Sequence, residues 1–266
     1  MRRASPNLSM RNGAKSGHRD LQPDAMGVAM RLAAARLREA GIVLKPLLRS
    51  AGLSAIQMTN KDVRIGVASQ IRFLELAAKA LNDPVLGFRL MHDVDLRHVG
   101  LLYYVAASSE TLGNALERAQ RYSSIVNAGV VLKCFGARNF TITLRYAGVA
   151  RHSDRQQMEC VVTAIIRFCR NSTERRLNPI AVHFVHRRLP QSSEIEKFFG
   201  CRIEFAANTD RIIFDKEAKQ LPLVRGSVSQ RDAAPLLRAG AGISPLQRGS
   251  AADRHRKCDR SAPTAW

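Results

Sequence analysis

His183-x-x-His186 is the one pair in the chain whose residue type and close spacing suggest metal chemistry. A metal site needs at least a third convergent ligand. No carboxylate or cysteine lies at ligand spacing from the pair, and on a strand residues three apart point to opposite faces. The pair therefore reads as one histidine on a strand face and one at the strand's solvent end, with no metal expected. Tyr103 and Tyr104 stand in an apolar stretch beside His98. They are either core residues with satisfied hydroxyls or the wall of a small-molecule pocket. Arg167, Arg170, Arg175 and Arg176 surround one helix end. There they complement the dipole and the last carbonyls, or else meet an acidic ligand or partner.

Other chemistry finds little support. Gly-x-Ser-x-Gly, the Walker-type phosphate loop and Gly-x-Gly-x-x-Gly are absent, and no carboxylate pair has acid–base spacing. The five cysteines, Cys134, Cys160, Cys169, Cys201 and Cys258, include no Cys-x-x-Cys pair. Neither a disulfide framework nor a zinc site is indicated. No catalytic residue and no cofactor are expected.

The elements that would position these residues follow from hydrophobic period. A helix begins near Gly27 and stops at Gly41, and a short one from Pro46 to Ala51 ends at Gly52. Val67, Ile71, Leu74, Ala78 and Leu81 step by helical intervals and mark one buried face, broken at Asn82-Asp83-Pro84. Val85–Met91 reads as a further short helix. Leu101–Ser109 is too apolar to face water. Ser109 is expected to cap the next helix, with Glu110 in its first turn. Leu112, Ala115, Ala119, Tyr122 and Val126 follow at helical spacing, until Asn127-Ala-Gly129 ends the helix.

The period then shortens to that of strands. Val130–Phe135 and Phe140–Tyr146 predict a hairpin with Phe140, Ile142 and Leu144 inward. Two capping boxes, Ser153-x-x-Gln156 and Ser193-x-x-Glu196, are expected to open helices. The first helix places Met158, Val161, Ile165 and Cys169 on one face, and the second ends at Gly200. Ile180–Val185 predicts a strand. Arg202–Phe205 and Arg211–Phe214 read as a second hairpin around Asn208-Thr-Asp. The order predicts a helix-rich α+β domain with short antiparallel strands rather than regular βαβ alternation.

The chain has 266 residues and a formal net charge of +20. Nine of those charges lie in residues 1–20 and 225–266. A basic balance attracts nucleic acid, anionic lipid or anionic metabolites without choosing among them. Residues 1–26 read as a basic disordered arm. Residues 225–266 contain no Phe or Tyr and are dominated by Arg, Ala, Gly, Ser and Pro, so they read as a low-complexity basic tail. No apolar run approaches the ~18 residues of a membrane span, and a reducing cytoplasm is the expected compartment.

Six blocks, taken in order, resemble a known family: LLRSAGL (47–53), FLELAAKALNDPVLGFRL (73–90), GLLYYVAASSETLGNALERAQRY (100–122), IAVHFVHRRLP (180–190), FFGCRIEFAANTDRIIFD (198–215) and LPL (221–223). Together they resemble the N-terminal, arabinose-binding-like effector domain of AraC-type transcription regulators, over about residues 27–224. Glu110 stands where the family commonly has Pro. The resemblance implies a domain that senses a small effector and dimerises, either with itself or with an intact paralogue. It also implies a following helix-turn-helix domain on the order of 100 residues. The tail shows no recognition helix, so a truncated or frameshifted regulator is expected, with DNA binding only if that domain is supplied. Ligand contacts are expected from Tyr103, Tyr104, Arg121, Tyr122, His183 and His186, the pocket-capable polar residues of the most family-like segments. The alternative is a stand-alone small-molecule-binding protein or enzyme that uses the same pocket.

Overall fold

The computed structural model describes residues 22–151 and 154–224. The chain enters through a two-residue strand, β1 (Asp24–Ala25), which pairs antiparallel with β2 (Ile65–Gly66). Ala25 is buried in this pairing. The inner end of the arm expected over 1–26 is therefore part of the domain; the rest of the arm and the tail from 225 lie outside the described residues.

Helices α1 (Val28–Glu39), α2 (Leu44–Ala51), α3 (Ala55–Thr59), α4 (Val67–Ala80) and α5 (Leu86–Asp93) follow. On α4 the face read from spacing is the buried one: Val67, Ile71, Leu74 and Ala78 all turn inward. Gln70 is buried among them. Helix α2 ends at Gly52 with φ +70°, a left-handed conformation that costs glycine little. Helices α6 (Leu101–Ala107) and α7 (Leu112–Tyr122) come next.

Ser109 does not cap α7, contrary to expectation. Thr111 does, accepting from the Asn114 amide at 3.3 Å, while the Ser109 hydroxyl is buried without a partner. The cause is a long-range pairing. The amide of Leu112 donates to the carbonyl of Leu221, and that of Leu223 to the carbonyl of Glu110. The backbone before Leu112 is thus held extended, and the helix starts late.

Strands β3 (Val130–Phe135) and β4 (Asn139–Tyr146) form the expected hairpin, with Phe140, Ile142 and Leu144 buried. Helix α8 (Arg155–Thr173) then crosses the domain. The half of its capping box that Gln156 would supply is diverted. The Gln156 side chain accepts from the Gly87 amide at 2.7 Å and donates to the Pro84 carbonyl at 2.9 Å. Ser153 lies outside the described residues. Helix α8 is buried on more than one side: Met158, Val162, Ile166 and Cys169 are fully inside, as are Gln156 and Glu159.

Strand β5 (Ala181–His183), helix α9 (Ser192–Phe199), β6 (Arg202–Glu204) and β7 (Asp210–Asp215) complete the fold. The second capping box is not formed either. Helix α9 starts after Gln191, and Glu196 instead takes the Arg188 guanidinium at 3.0 Å. Gly200, with φ +69°, ends the helix as expected.

The five-stranded sheet has the order β3-β4-β7-β5-β6. The second hairpin is corrected by this order: β6 and β7 do not pair with each other but lie on either side of β5. Strand β5 runs parallel to β6, across α9, and antiparallel to β7. The register carries an apolar row, Cys134–Ile142–Ile212–Val182–Ile203, across all five strands. The neighbouring row, Lys133–Thr143–Arg211–His183–Glu204, is polar and faces the other way. One sheet face thus belongs to the core, as the α+β reading requires.

Candidate functional site

Between α4, α6, α7, α8 and β3 lies a cavity of about 170 Å³. Helix α8 supplies its longest wall. Gln157, Val161, Ala164, Ile165 and Phe168 recur along it at intervals of three and four, which keeps them on one side of a helix. Leu116 and Ala119 of α7, Tyr103 and Ala106 of α6, and Val130 and Leu132 of β3 close the other sides. No Asp, Glu, Lys, Arg or His lines this cavity. Its polar side chains are Gln70, Tyr103, Ser123, Asn127 and Gln157, with the Cys160 thiol beside them. Burial pushes the Cys160 thiol up to about 12, which leaves it a protonated, inert wall residue.

Gln70 and Gln157 meet here. The Gln70 amide donates to the Gln157 carbonyl at 2.7 Å, and both residues are buried. The Gln70 carbonyl oxygen has no partner. Asn127 is occupied, accepting from the Gly129 amide at 3.0 Å. At the other end of the α8 wall the Tyr103 and Phe168 rings meet edge to face, with centroids 5.9 Å apart.

The six residues expected as ligand contacts do not converge. Tyr103 lines the cavity. Tyr104 abuts the Tyr103 ring but is outside the lining. Arg121 is exposed and Tyr122 half-buried on the last turn of α7. His183 sits on the polar sheet face, its Nδ1 2.9 Å from Glu204 Oε2 and 3.3 Å from the Arg211 guanidinium. His186 is not at the solvent end of its strand as expected. Its ring stacks on Phe184, and its Nε2 is 3.5 Å from Glu159 Oε1. Among the described residues no group of three His, Cys, Asp or Glu side chains would hold a metal ion.

Sequence reasoning missed the glutamine pair. A signal was present: Gln70 and Gln157 are polar residues at helical spacing within apolar faces. Arg167 and Arg170 act structurally. Arg167 donates to the carbonyls of Met91 and Val94, and Arg170 to those of Leu177 and Phe199. Arg175 and Arg176 are exposed.

A second buried cluster lies under His186. Desolvation pushes the Glu159 carboxyl up to about 8 and His186 down to about 4, so at neutral pH the pair is two uncharged groups rather than an ion pair. Nearby, buried Asp210 binds the Arg151 guanidinium and accepts from the Val185 amide at 2.9 Å.

A family model described as the arabinose-binding domain of AraC transcription regulators, N-terminal, matches residues 41–223. The chain belongs to this family. No curated protein matches it in sequence. The crystal structure of the transcriptional regulator CdpR from Pseudomonas aeruginosa is similar in fold, with a TM-score of 0.57 at 11% identity. That likeness covers 80% of this chain and 62% of the CdpR chain, so this chain spans less than two thirds of that regulator. The family match begins after α1, yet Gly27, Val28 and Ala29 at the start of α1 complete the cavity of this arabinose-binding-type domain. Among its described residues no helix is long and apolar enough to cross a membrane.

Proposed function

We propose that this chain senses a small molecule for an AraC-type transcription regulator and holds it in the cavity walled by α8. The observation that carries the reading is the cavity itself. Protein interiors are packed as densely as organic crystals. This domain instead leaves a space of about 170 Å³ beside its core, lined almost wholly by apolar side chains and open in part to solvent. An apolar pocket where six helices and β3 meet gains from being filled by the apolar surface of a ligand. Membership of an effector-binding family supports the same reading.

The cavity is also connected to the way out of the domain. Residues Leu221–Val224 are hydrogen-bonded to Glu110 and Leu112 at the start of α7 and to Ser172 at the end of α8. Both helices line the cavity. The segment leading to residue 225 is thereby tied to the walls a ligand would press on. Dimerisation, with a second copy or with an intact relative, belongs to this reading on family grounds, as does a cytoplasmic location, where a regulator meets DNA.

A thermal-shift screen of metabolites tests the proposal. Binding stabilises by RT ln(1+[L]/Kd), so an effector raises the melting temperature in a dose-dependent way. Ala164→Leu, which places side-chain atoms inside the cavity, is expected to raise the ligand-free melting temperature and abolish the ligand's shift. A shift that survives this substitution places the ligand elsewhere and refutes the reading.

A further inference from the structure

We infer that the effector is a neutral, slender amphiphile: a mostly hydrocarbon body with one uncharged head group that both donates and accepts hydrogen bonds, such as a primary carboxamide or an alcohol. The inference rests on the cavity reading above and concerns what that cavity selects.

Charge is the first argument. The chain carries 42 Lys and Arg residues, yet none of them, and no Asp, Glu or His, lines the cavity. An ionised carboxylate, phosphate or ammonium would lose its hydration there and find no counter-charge, at a cost of several kcal/mol.

Shape is the second. Gln157 and Phe168 mark the two ends of the α8 wall, and eleven residues at ~1.5 Å each separate them by about 16 Å. A cavity of about 170 Å³ drawn out over that length is narrow. An engineered apolar cavity of ~150 Å³ holds one benzene, so a single chain of about eight carbons, or one ring with a short tail, is the body that fits.

The third is the polar end. Gln70 and Gln157 are 3% and 2% exposed and hold each other through a single hydrogen bond. The Gln70 carbonyl is left unpartnered, a position that is expensive for a buried acceptor. Turning the Gln70 amide to meet a donor breaks its 2.7 Å bond to Gln157, so the donors of the head group have to replace that bond. Gln157 carries two N–H donors of its own. The pair therefore offers an acceptor and donors to one head group, and the rest of the α8 wall is apolar up to the Tyr103–Phe168 rings. A polyhydroxylated sugar, by contrast, would strand most of its hydroxyls against Val161, Ala164 and Ile165.

The test uses the full chain and four probes with one body: octanamide, 1-octanol, octanoate and octylammonium at pH 7, compared by thermal shift and calorimetry. Octanamide and octanol are expected to bind about tenfold or more tighter than either ion, given the cost of burying an unpaired charge, and octanamide tighter than octanol, because it offers the glutamine pair two donors against one. Gln70→Leu and Gln157→Leu, near in volume and checked by circular dichroism, are expected to erase the preference for octanamide over octanol. An ion that binds as well as the neutral probes overturns the inference, as does a head-group ranking unchanged in both leucine variants. The cavity reading falls separately: if Ala164→Leu leaves probe binding intact, the site is elsewhere. If none of the four probes shifts the melting temperature, the inference falls, while the cavity reading stands or falls with the metabolite screen.

Discussion

Glu159 has no exposure and neither of its oxygens has a hydrogen-bond partner. Its carboxyl is raised to about 8, so the folded state holds a proton that the unfolded state releases near 4.5. Stability from this group is full below its unfolded value and is lost as pH rises through about 8. His186 works in the opposite sense. Its folded value, lowered to about 4, makes stability fall as pH drops from 6.5. The two slopes oppose each other between 4.5 and 6.5, and only that of Glu159 remains above. Denaturant titrations should show stability declining from pH 6.5 to 8, by about 1 kcal/mol per pH unit. Glu159→Gln should flatten that decline. A wild-type profile that rises with pH across this window would contradict the assignment. The sequence shows Glu159 as one acidic residue on a helix; its burial against His186 depends on residues 27 positions apart in the chain.

At the scale of elements, the crossing of α5 and α8 sets the cavity's long wall. Gly87 makes that crossing possible. A Cβ added there would lie 2.0 Å from the Gln156 carbonyl oxygen, an atom of backbone that cannot rotate away. Gly87→Ala should therefore push the two helices apart. The loss should be about 2–3 kcal/mol in denaturant unfolding, toward the upper range of overpacking substitutions. Because the wall moves with α8, ligand affinity should fall as well. Most helices were legible from spacing and glycine stops, since a buried face repeats every three to four residues wherever it lies in the fold. Their starts were less so. The caps expected of Ser109 and Ser193 failed because Leu221–Leu223 claimed the backbone before α7 and Arg188 claimed Glu196. A capping motif states only what a side chain can bond, and the tertiary structure offered other partners.

Considered whole, the molecule is a basic chain wrapped around an uncharged cavity. Its formal charge of +20 is spread over the arm, the domain surface and the tail. The share of any DNA binding that this charge supplies should be independent of sequence and fall steeply with salt, as counterion release requires. Gel shifts at two salt concentrations, with operator-like and scrambled duplexes, check this. A preference for one duplex that persists at the higher salt would show a reading surface that the described residues do not account for.

The sequence by itself determined the α+β class, the hairpin of β3 and β4, most helix ends and, through six ordered blocks, the family. These are local or cumulative signals: each periodic face, glycine stop or motif is complete within a short stretch. Only the tertiary structure decided the sheet order, in which β5 separates the two strands that looked like a hairpin. It also decided which candidate ligand residue reaches the cavity. Tyr103 does, whereas His183 lies on the opposite sheet face and His186 turns to Glu159. The reason is physical. Periodicity shows that a face is buried without naming what buries it. Gln70 and Gln157 are 87 residues apart, and their 2.7 Å hydrogen bond exists only where α4 packs on α8.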